Sequence, residues 1–457
     1  MGDGSDPMAD SLRIAWFSPL PPAPTGVAAV SAELLPALRA RRHIIDVYVD
    51  GPGRPPAANS AHDFLWRHLQ RPYDLVVYQL GNSSHHDYAW AYALRYPGLV
   101  VLHDTRLHHA RASHLLRERR RADYRAELAF DQPAAGDEAA EVAIAGFDSC
   151  LYYDWPMVRA LADTAALVAV HGEGTRRELM NALQPGSYDD RLVSIRLGHG
   201  EPLSAERERA ARRRIRGRYR ISEDAVVFGV FGGLTPEKRI PQILTAFAAI
   251  APAMPGAALL LAGAPASYYD LAADVAAHGL QDHVTITGYV ESEADFTDHL
   301  AACDVSLNLR WPTARETSGP WLRALAAGRA SIITDLVHLA DVPSLDPRTW
   351  APTTSNSPSP FCVSIDILDE DHSLRLAMRR LANDAGFRAE LGRAAQEWWR
   401  REHSIAAMTD DYERVMRQAA ARSIEPRRAA LPAHLRDDGR TLMDALMAPF
   451  NLQRDTL

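Results

Sequence analysis

Short apolar runs alternate with segments whose apolar residues recur at helical spacing. Arg13–Phe17 is apolar throughout its last four positions, as a buried parallel strand would be. A Pro-rich loop, Ser18 to Gly26, follows, and then Val27, Val30, Leu34, Leu35 and Leu38 mark one helix face over 27–41. Ile44–Val49 is the next strand. This strand–loop–helix–strand order predicts the start of a doubly wound sheet. Further buried-type strands are predicted at 74–78, 98–102, 165–170 and 192–197, with helices at 108–130 and 155–163. A second series begins at Val226–Phe231 and continues at 257–261, 284–286, 305–307 and 331–333. Helical patterns at 240–250, 268–278, 293–301 and 321–327 separate these strands, and two more close the series at about 386–402 and 404–422.

The expected architecture is therefore α/β, two doubly wound Rossmann-like domains facing a central cleft, where ligands usually bind. The first domain is expected over 11–202 and the second over 222–402. Residues 203–221 read as a solvated connecting helix: they are rich in arginine, but Glu206, Glu208, Glu223 and Asp224 flank the cations. A helix over 403–422 is expected to pack back on the first domain, and 423–457 is a tail of mixed character.

A length of 457 residues suits two domains or three. Lys and Arg number 50 against 58 Asp and Glu, a net charge of −8, which disfavours a dedicated nucleic-acid binder. Cys150, Cys303 and Cys362 are too few and too scattered for a disulfide framework or a CxxC zinc site. No apolar run reaches the ~18 residues of a membrane-spanning helix. Residues 1–10 lack the basic and apolar regions of a signal peptide. A cytoplasmic protein is expected, with a peripheral membrane contact left open.

Four segments carry candidate chemistry. Gly26 ends the loop after the first strand, where free helix amides favour a phosphate or a sugar hydroxyl; the loop is not GxGxxG, so no nicotinamide cofactor is implied. His103 and Asp104 follow a predicted strand directly, with His108 and His109 just beyond, and can orient or polarise a substrate hydroxyl. A metal role for these residues, or for His85, His86 and Asp87, is disfavoured because no defined ligand spacing is present. Gly232 and Gly233 end another strand, and Lys238 and Arg239 supply charge for a diphosphate; a plain turn with a solvated cation pair is the alternative. Finally, Glu316, Thr317, Ser318 and Gly319 precede a helix whose N-terminus suits an anion, with Glu316 suited to sugar hydroxyls; the alternative is a simple N-cap.

Taken together, these segments resemble the GT-B glycosyltransferases, and family 4, the retaining type, in particular. The resemblance covers roughly 12–422 and is most specific at Pro320-x-Leu-x-Ala-Leu-Ala-Ala-Gly328 and Ser331–Asp335. It implies a nucleotide-diphosphate sugar donor, bound mainly by the second domain, and no resident cofactor or metal. On that resemblance Lys238 and Arg239 match the diphosphate cations. His103 and Gly26 match groups near the transferred sugar, Glu316 a donor-sugar contact, and Ser318 and Gly319 the phosphate turn. Gly232, Gly233 and Thr317 join the donor set, and Asp104 and His108 the acceptor side. The acceptor is expected to be a glycan, a lipid-linked sugar or a small molecule. One departure stands out. The second glutamate of the family's motif, which holds the ribose hydroxyls, is Arg323 here, and arginine cannot accept a hydrogen bond. Arg323 is expected to pair with Glu316 or to touch phosphate. The competing readings are a sugar-nucleotide epimerase or phosphorylase on the same architecture, a non-catalytic nucleotide or glycan binder, and a metal-dependent hydrolase.

Overall fold

Seven strands make the first sheet: β1 (Arg13–Phe17), β2 (Ile44–Val49), β3 (Asn59–Ser60), β4 (Leu75–Leu80), β5 (Leu99–Leu102), β6 (Leu167–His171) and β7 (Leu192–Ile195). Their order is β3-β2-β1-β4-β5-β6-β7. The computed structural model describes residues 11–51, 53–146, 151–183, 186–354, 359–422, 430–436 and 440–450. Cys150 and parts of the expected tail 423–457 lie outside the described residues. β1 pairs in parallel with β2 on one side and β4 on the other, with Ile14 opposite Ile45 and Leu75. β4, β5 and β6 are buried along their whole length, which is why their sequences are near-continuous apolar runs, broken only by Gln79 and His171 towards the strand ends, rather than alternating ones.

The second sheet repeats the design with β8 (Val226–Phe231), β9 (Ala257–Ala262), β10 (Val284–Ile286), β11 (Val305–Asn308), β12 (Ala330–Thr334), β13 (Ser344–Leu345) and β14 (Cys362–Ile365). Its order is β10-β9-β8-β11-β12-β14-β13. The winding direction reverses between β1 and β4 in the first sheet and between β8 and β11 in the second, where β14 also lies inside β13. The carboxyl ends of those strand pairs are the topological switch points at which open α/β sheets bind ligands. The two doubly wound sheets are the GT-B architecture expected from the sequence.

The described residues of Met1–Val170, Leu179–Ser194 and Glu413–Leu457 form one compact unit, and His171–Glu178 with Ile195–Tyr412 the other. Helix Ile405–Ala420 is thus divided between the units. The core of the first unit gathers Phe17, Tyr48, Phe64 and Tyr78, with the Phe17 ring 5.1 Å from each of the other three. In the second, Ile240, Ile243, Leu244, Phe247 and Ile250 of helix Ile240–Ile250 seal one face of the sheet.

Two expectations change. Residues 108–130 form two helices, His108–Arg117 and Arg121–Asp131, separated by Arg119 in the left-handed region at φ 58°. Residues 203–221 are not a solvated connector. They form helix Ala205–Tyr219, capped by Ser204, which packs against helix Glu293–Ala302 within the second unit. Ala211 and Ile215 share its buried face, as residues four apart do, and Arg216 is buried beside them. Three of the arginines are ion-paired rather than free for phosphate: Arg212 and Arg216 with Asp304, and Arg214 with Asp298. No helix among the described residues is long and apolar enough to cross a membrane.

Candidate functional site

The second unit holds a pocket at the carboxyl ends of β8, β11 and β12, lined by Phe231, Lys238, Arg310, Glu316, Ser318 and His338 among others. The pocket sits at the β8/β11 switch point.

Lys238 reaches it from a short turn, Pro236–Lys238, after the glycine loop. Its Nζ donates to the Phe231 carbonyl at the end of β8. Gly232 makes room for this. It has φ +85°, and a Cβ there would lie 2.9 Å from Nζ. Gly263, after β9, is held tighter still: a Cβ would meet the Gly232 carbonyl oxygen at 2.0 Å, so only glycine lets the two strand-end loops touch. Burial, and then the Arg310 guanidinium, pull the Lys238 amine down to about 7, against the opposing pull of Glu316.

Arg310 follows β11 by two residues, and its backbone N–H donates to Thr334 Oγ1 at 3.1 Å. Its Nε lies 2.7 Å from Glu316 Oε1. Thr313 Oγ1 donates to Glu316 Oε2 at 2.8 Å. Burial opposes ionisation of Glu316, but Arg310 and Thr313 outweigh it and hold the carboxyl below its usual range. The pocket therefore combines an ammonium, a guanidinium and a carboxylate, with an imidazole, His338, beside them. Arg310 and His338 were not legible as site residues. The only signal for either is its place just after a strand end.

The other predicted donor residues divide. Ser318 lines the pocket and caps helix Gly319–Ala326, accepting from Trp321 N at 3.3 Å, so the N-cap reading holds for its hydroxyl. Thr317 is partly exposed beside it, and Gly233 is exposed. Gly319 opens the helix and makes space for His199: a Cβ there would lie 3.2 Å from the His199 ring.

Two predicted cations point elsewhere. Arg239, in the left-handed region at φ 60°, sends its guanidinium to Glu370, with Nε 2.8 Å from Oε1. Its charge is committed to that ion pair, and Arg310, not Arg239, lines the pocket. Arg323 is buried, pairs with Glu293 and lies over the Phe296 ring at 5.0 Å. It therefore neither pairs with Glu316 nor lines the pocket.

In the first unit, the predicted residues gather at the ends of β4 and β5. His103 Nε2 lies 2.8 Å from Gln79 Oε1, and the His103 N–H donates to the Leu80 carbonyl. Asp104 Oδ2 accepts from the Asn82 N–H at 2.7 Å. Gly26 is exposed at the first position of helix Gly26–Ala40, whose N-cap is Thr25. His108 leaves the acceptor set. It is fully buried, with Nε2 at 2.8 Å from the Tyr124 hydroxyl and Nδ1 at 3.1 Å from the Leu151 carbonyl oxygen. Burial takes it down to about 4, so it is a neutral core histidine.

Comparison with known proteins agrees with this geometry. Residues 225–351, the segment that builds the pocket, match the family model described as glycosyl transferases group 1. No curated protein matches the chain in sequence. Among solved structures, sucrose-phosphate synthase from Thermosynechococcus elongatus is similar over 90% of this chain and 100% of its own, at TM-score 0.61 and 17% identity. HepE of Anabaena, solved with UDP and glucose, is similar over 89% and 99%, at TM-score 0.60 and 14% identity. The catalytic domain of starch synthase IV from Arabidopsis thaliana, bound to ADP and acarbose, is similar over 90% and 100%, at TM-score 0.55 and 13% identity. These likenesses place the chain in the GT-B fold.

Proposed function

We propose that the chain is a retaining glycosyltransferase that moves a hexose from a nucleotide-diphosphate sugar to a hydroxyl of a glycan, lipid-linked or small-molecule acceptor, acting in the cytoplasm. The observation that carries this reading is the Lys238–Arg310–Glu316 cluster at the β8/β11 switch point. The group 1 match over the same segment supports it, as do the UDP and ADP named for two structural neighbours.

The donor diphosphate is the leaving group. Lys238 and Arg310 face it, and the N-terminal end of helix Gly319–Ala326 adds its dipole. Glu316, fixed by Arg310 and Thr313, accepts from hydroxyls of the transferred sugar. As the glycosidic C–O bond breaks, the acceptor oxygen forms its bond on the same face, and its proton passes to the departing diphosphate oxygen. No protein base is needed, unlike the paired carboxylates of glycosidases. Since two side-chain cations neutralise the leaving group, transfer is expected to survive a chelator. A second reading rests on Arg323: with its charge committed to Glu293, the position supplies no carboxylate, and a non-catalytic donor binder would look the same.

The test is nucleoside diphosphate release from UDP-, GDP-, dTDP- and ADP-hexoses with mixed glycan and lipid-linked acceptors, with the product anomer read by proton NMR. An α-linked product from an α-donor is expected. Glu316→Ala is expected to cut turnover by about 10²-fold, the scale of a lost transition-state contact, while leaving binding of the bare nucleoside diphosphate within a few-fold. Release with inversion contradicts the mechanism. Donor binding without release under any acceptor supports the non-catalytic reading.

A further inference from the structure

We propose that His338 is a hydroxyl-binding residue of this pocket, whose Nδ1 hydrogen-bonds with a sugar hydroxyl of the bound nucleotide sugar. The proposal rests on the donor reading above.

His338 sits in the turn Val337–Leu339, four residues beyond β12, between Leu336 and Leu339, which line the same pocket. It is only 6% exposed. Its surroundings fix it in place. The main chain of Gly174 runs against the His338 carbonyl so closely that a Cβ on Gly174 would lie 2.8 Å from that oxygen. Arg177, on the helix Glu173–Ala182 that also carries Gly174, pairs with Asp341, three residues on from His338. A buried histidine held this firmly normally has both ring nitrogens matched. Here Nδ1 makes no hydrogen bond among the described residues.

The chemistry of the missing partner follows from the ring's state. Burial keeps His338 neutral, its pKa drawn down to about 4 in spite of the nearby Glu316 carboxylate. A neutral imidazole has one N–H and one lone pair. The hydrogen bond that Nδ1 lacks is one that a sugar hydroxyl can make with either tautomer, because a hydroxyl both donates and accepts. Phosphate oxygens only accept, and the Lys238 and Arg310 charges in the same pocket suit them. The pocket thus separates its tasks: Lys238 and Arg310 for the diphosphate, Glu316 and His338 for hydroxyls. The hydroxyl belongs either to the hexose or to the ribose, and the two are separable by experiment.

The test is calorimetry on the wild type, His338→Phe and His338→Asn. Phenylalanine keeps a buried ring without the nitrogen, while asparagine places an amide group near the Nδ1 position. The probes are whichever of UDP-glucose, GDP-mannose, dTDP-glucose and ADP-glucose the wild type binds most tightly, its nucleoside diphosphate, and the 2′-deoxy and 3′-deoxy forms of that diphosphate. His338→Phe is expected to weaken nucleotide-sugar binding about tenfold, and His338→Asn to recover part of the loss. A loss confined to the nucleotide sugar assigns the hexose. An equal loss with the diphosphate, absent with one deoxy form, assigns the ribose. Unchanged binding in His338→Phe overturns the proposal, as does an equal loss for every probe that asparagine does not recover. If the wild type binds none of the four donors, the donor reading itself fails. If His338→Phe does not fold, His338→Ala with the same probes decides by the same pattern.

Discussion

Lys238→Ala is expected to lower transfer by about 10²–10³-fold, the effect of removing one preorganised charge from a leaving-group site. It should also abolish a pH dependence that the wild type shows. In the unliganded protein burial brings the Lys238 amine down to about 7. Above pH 7 a growing share of the protein therefore carries a neutral amine at the place where the diphosphate must sit. A diphosphate favours the ammonium, so the lysine's pKa rises when the donor binds. Between the two values, binding takes up one proton. The sign follows directly: donor affinity is near its maximum below pH 7 and falls above it, by up to about tenfold per pH unit. Titrations at pH 6.5, 7.5 and 8.5, each in two buffers of different ionisation enthalpy, measure both the slope and the proton count. Lys238→Ala should give weak binding with neither. A wild-type affinity that stays flat from pH 6.5 to 8.5 would show that the diphosphate lies away from Nζ.

The second large effect is on stability. Arg216→Met should destabilise the second unit by about 3–5 kcal/mol, the cost of breaking a buried ion pair from one side. Arg216 is fully buried. Its guanidinium donates to the carbonyls of Ala302, Ser222, Glu223 and Ala225 at 2.9–3.1 Å and to Asp304 Oδ2 at 2.9 Å. Asp304 in turn accepts from the Val227 N–H at 2.7 Å, at the start of β8. Methionine fills much of the volume but leaves four carbonyls without this donor. Asp304 keeps Arg212 at 2.9 Å, which moderates the loss. Thermal denaturation should show a transition on the order of 10 °C lower for a domain of this size. Arg213→Ala, three residues away and exposed, should shift the same transition very little. Equal, small shifts for both would mean that the buried guanidinium is dispensable.

The contrast between these arginines shows what was legible in the chain. Strands such as β4 and β5 could be read because burial on both faces demands near-continuous apolar runs. β13 and β14 could not: β13 has only two residues and Ser364 interrupts β14, and their place follows from β14 pairing with β12 and β13 with β14. The Arg-rich segment looked solvated because its charges are dense. Its buried face depends on Asp304 and on carbonyls up to about ninety residues away, which no local pattern encodes. The same limit explains the site. Lys238 was found because a glycine loop and a strand end precede it. Arg239 was misassigned because adjacency in sequence hides the left-handed turn that sends it to Glu370, 131 residues on. Arg310 and His338 lie in no motif; folding brings them to Glu316 only because β11 and β12 are neighbours. The Arg323–Glu293 pair is likewise invisible until helices Glu293–Ala302 and Gly319–Ala326 pack together.

The measurement that bears most directly on a nucleotide-sugar site in the second unit is calorimetry of the full chain at pH 6.5 against UDP-, GDP-, dTDP- and ADP-hexoses. Saturable one-to-one binding of one nucleotide class at micromolar concentration, lost in Lys238→Ala and retained in Arg239→Ala provided that variant stays folded, is the predicted result. A folded protein that binds none of the four donors, or whose binding survives Lys238→Ala unchanged, would contradict it.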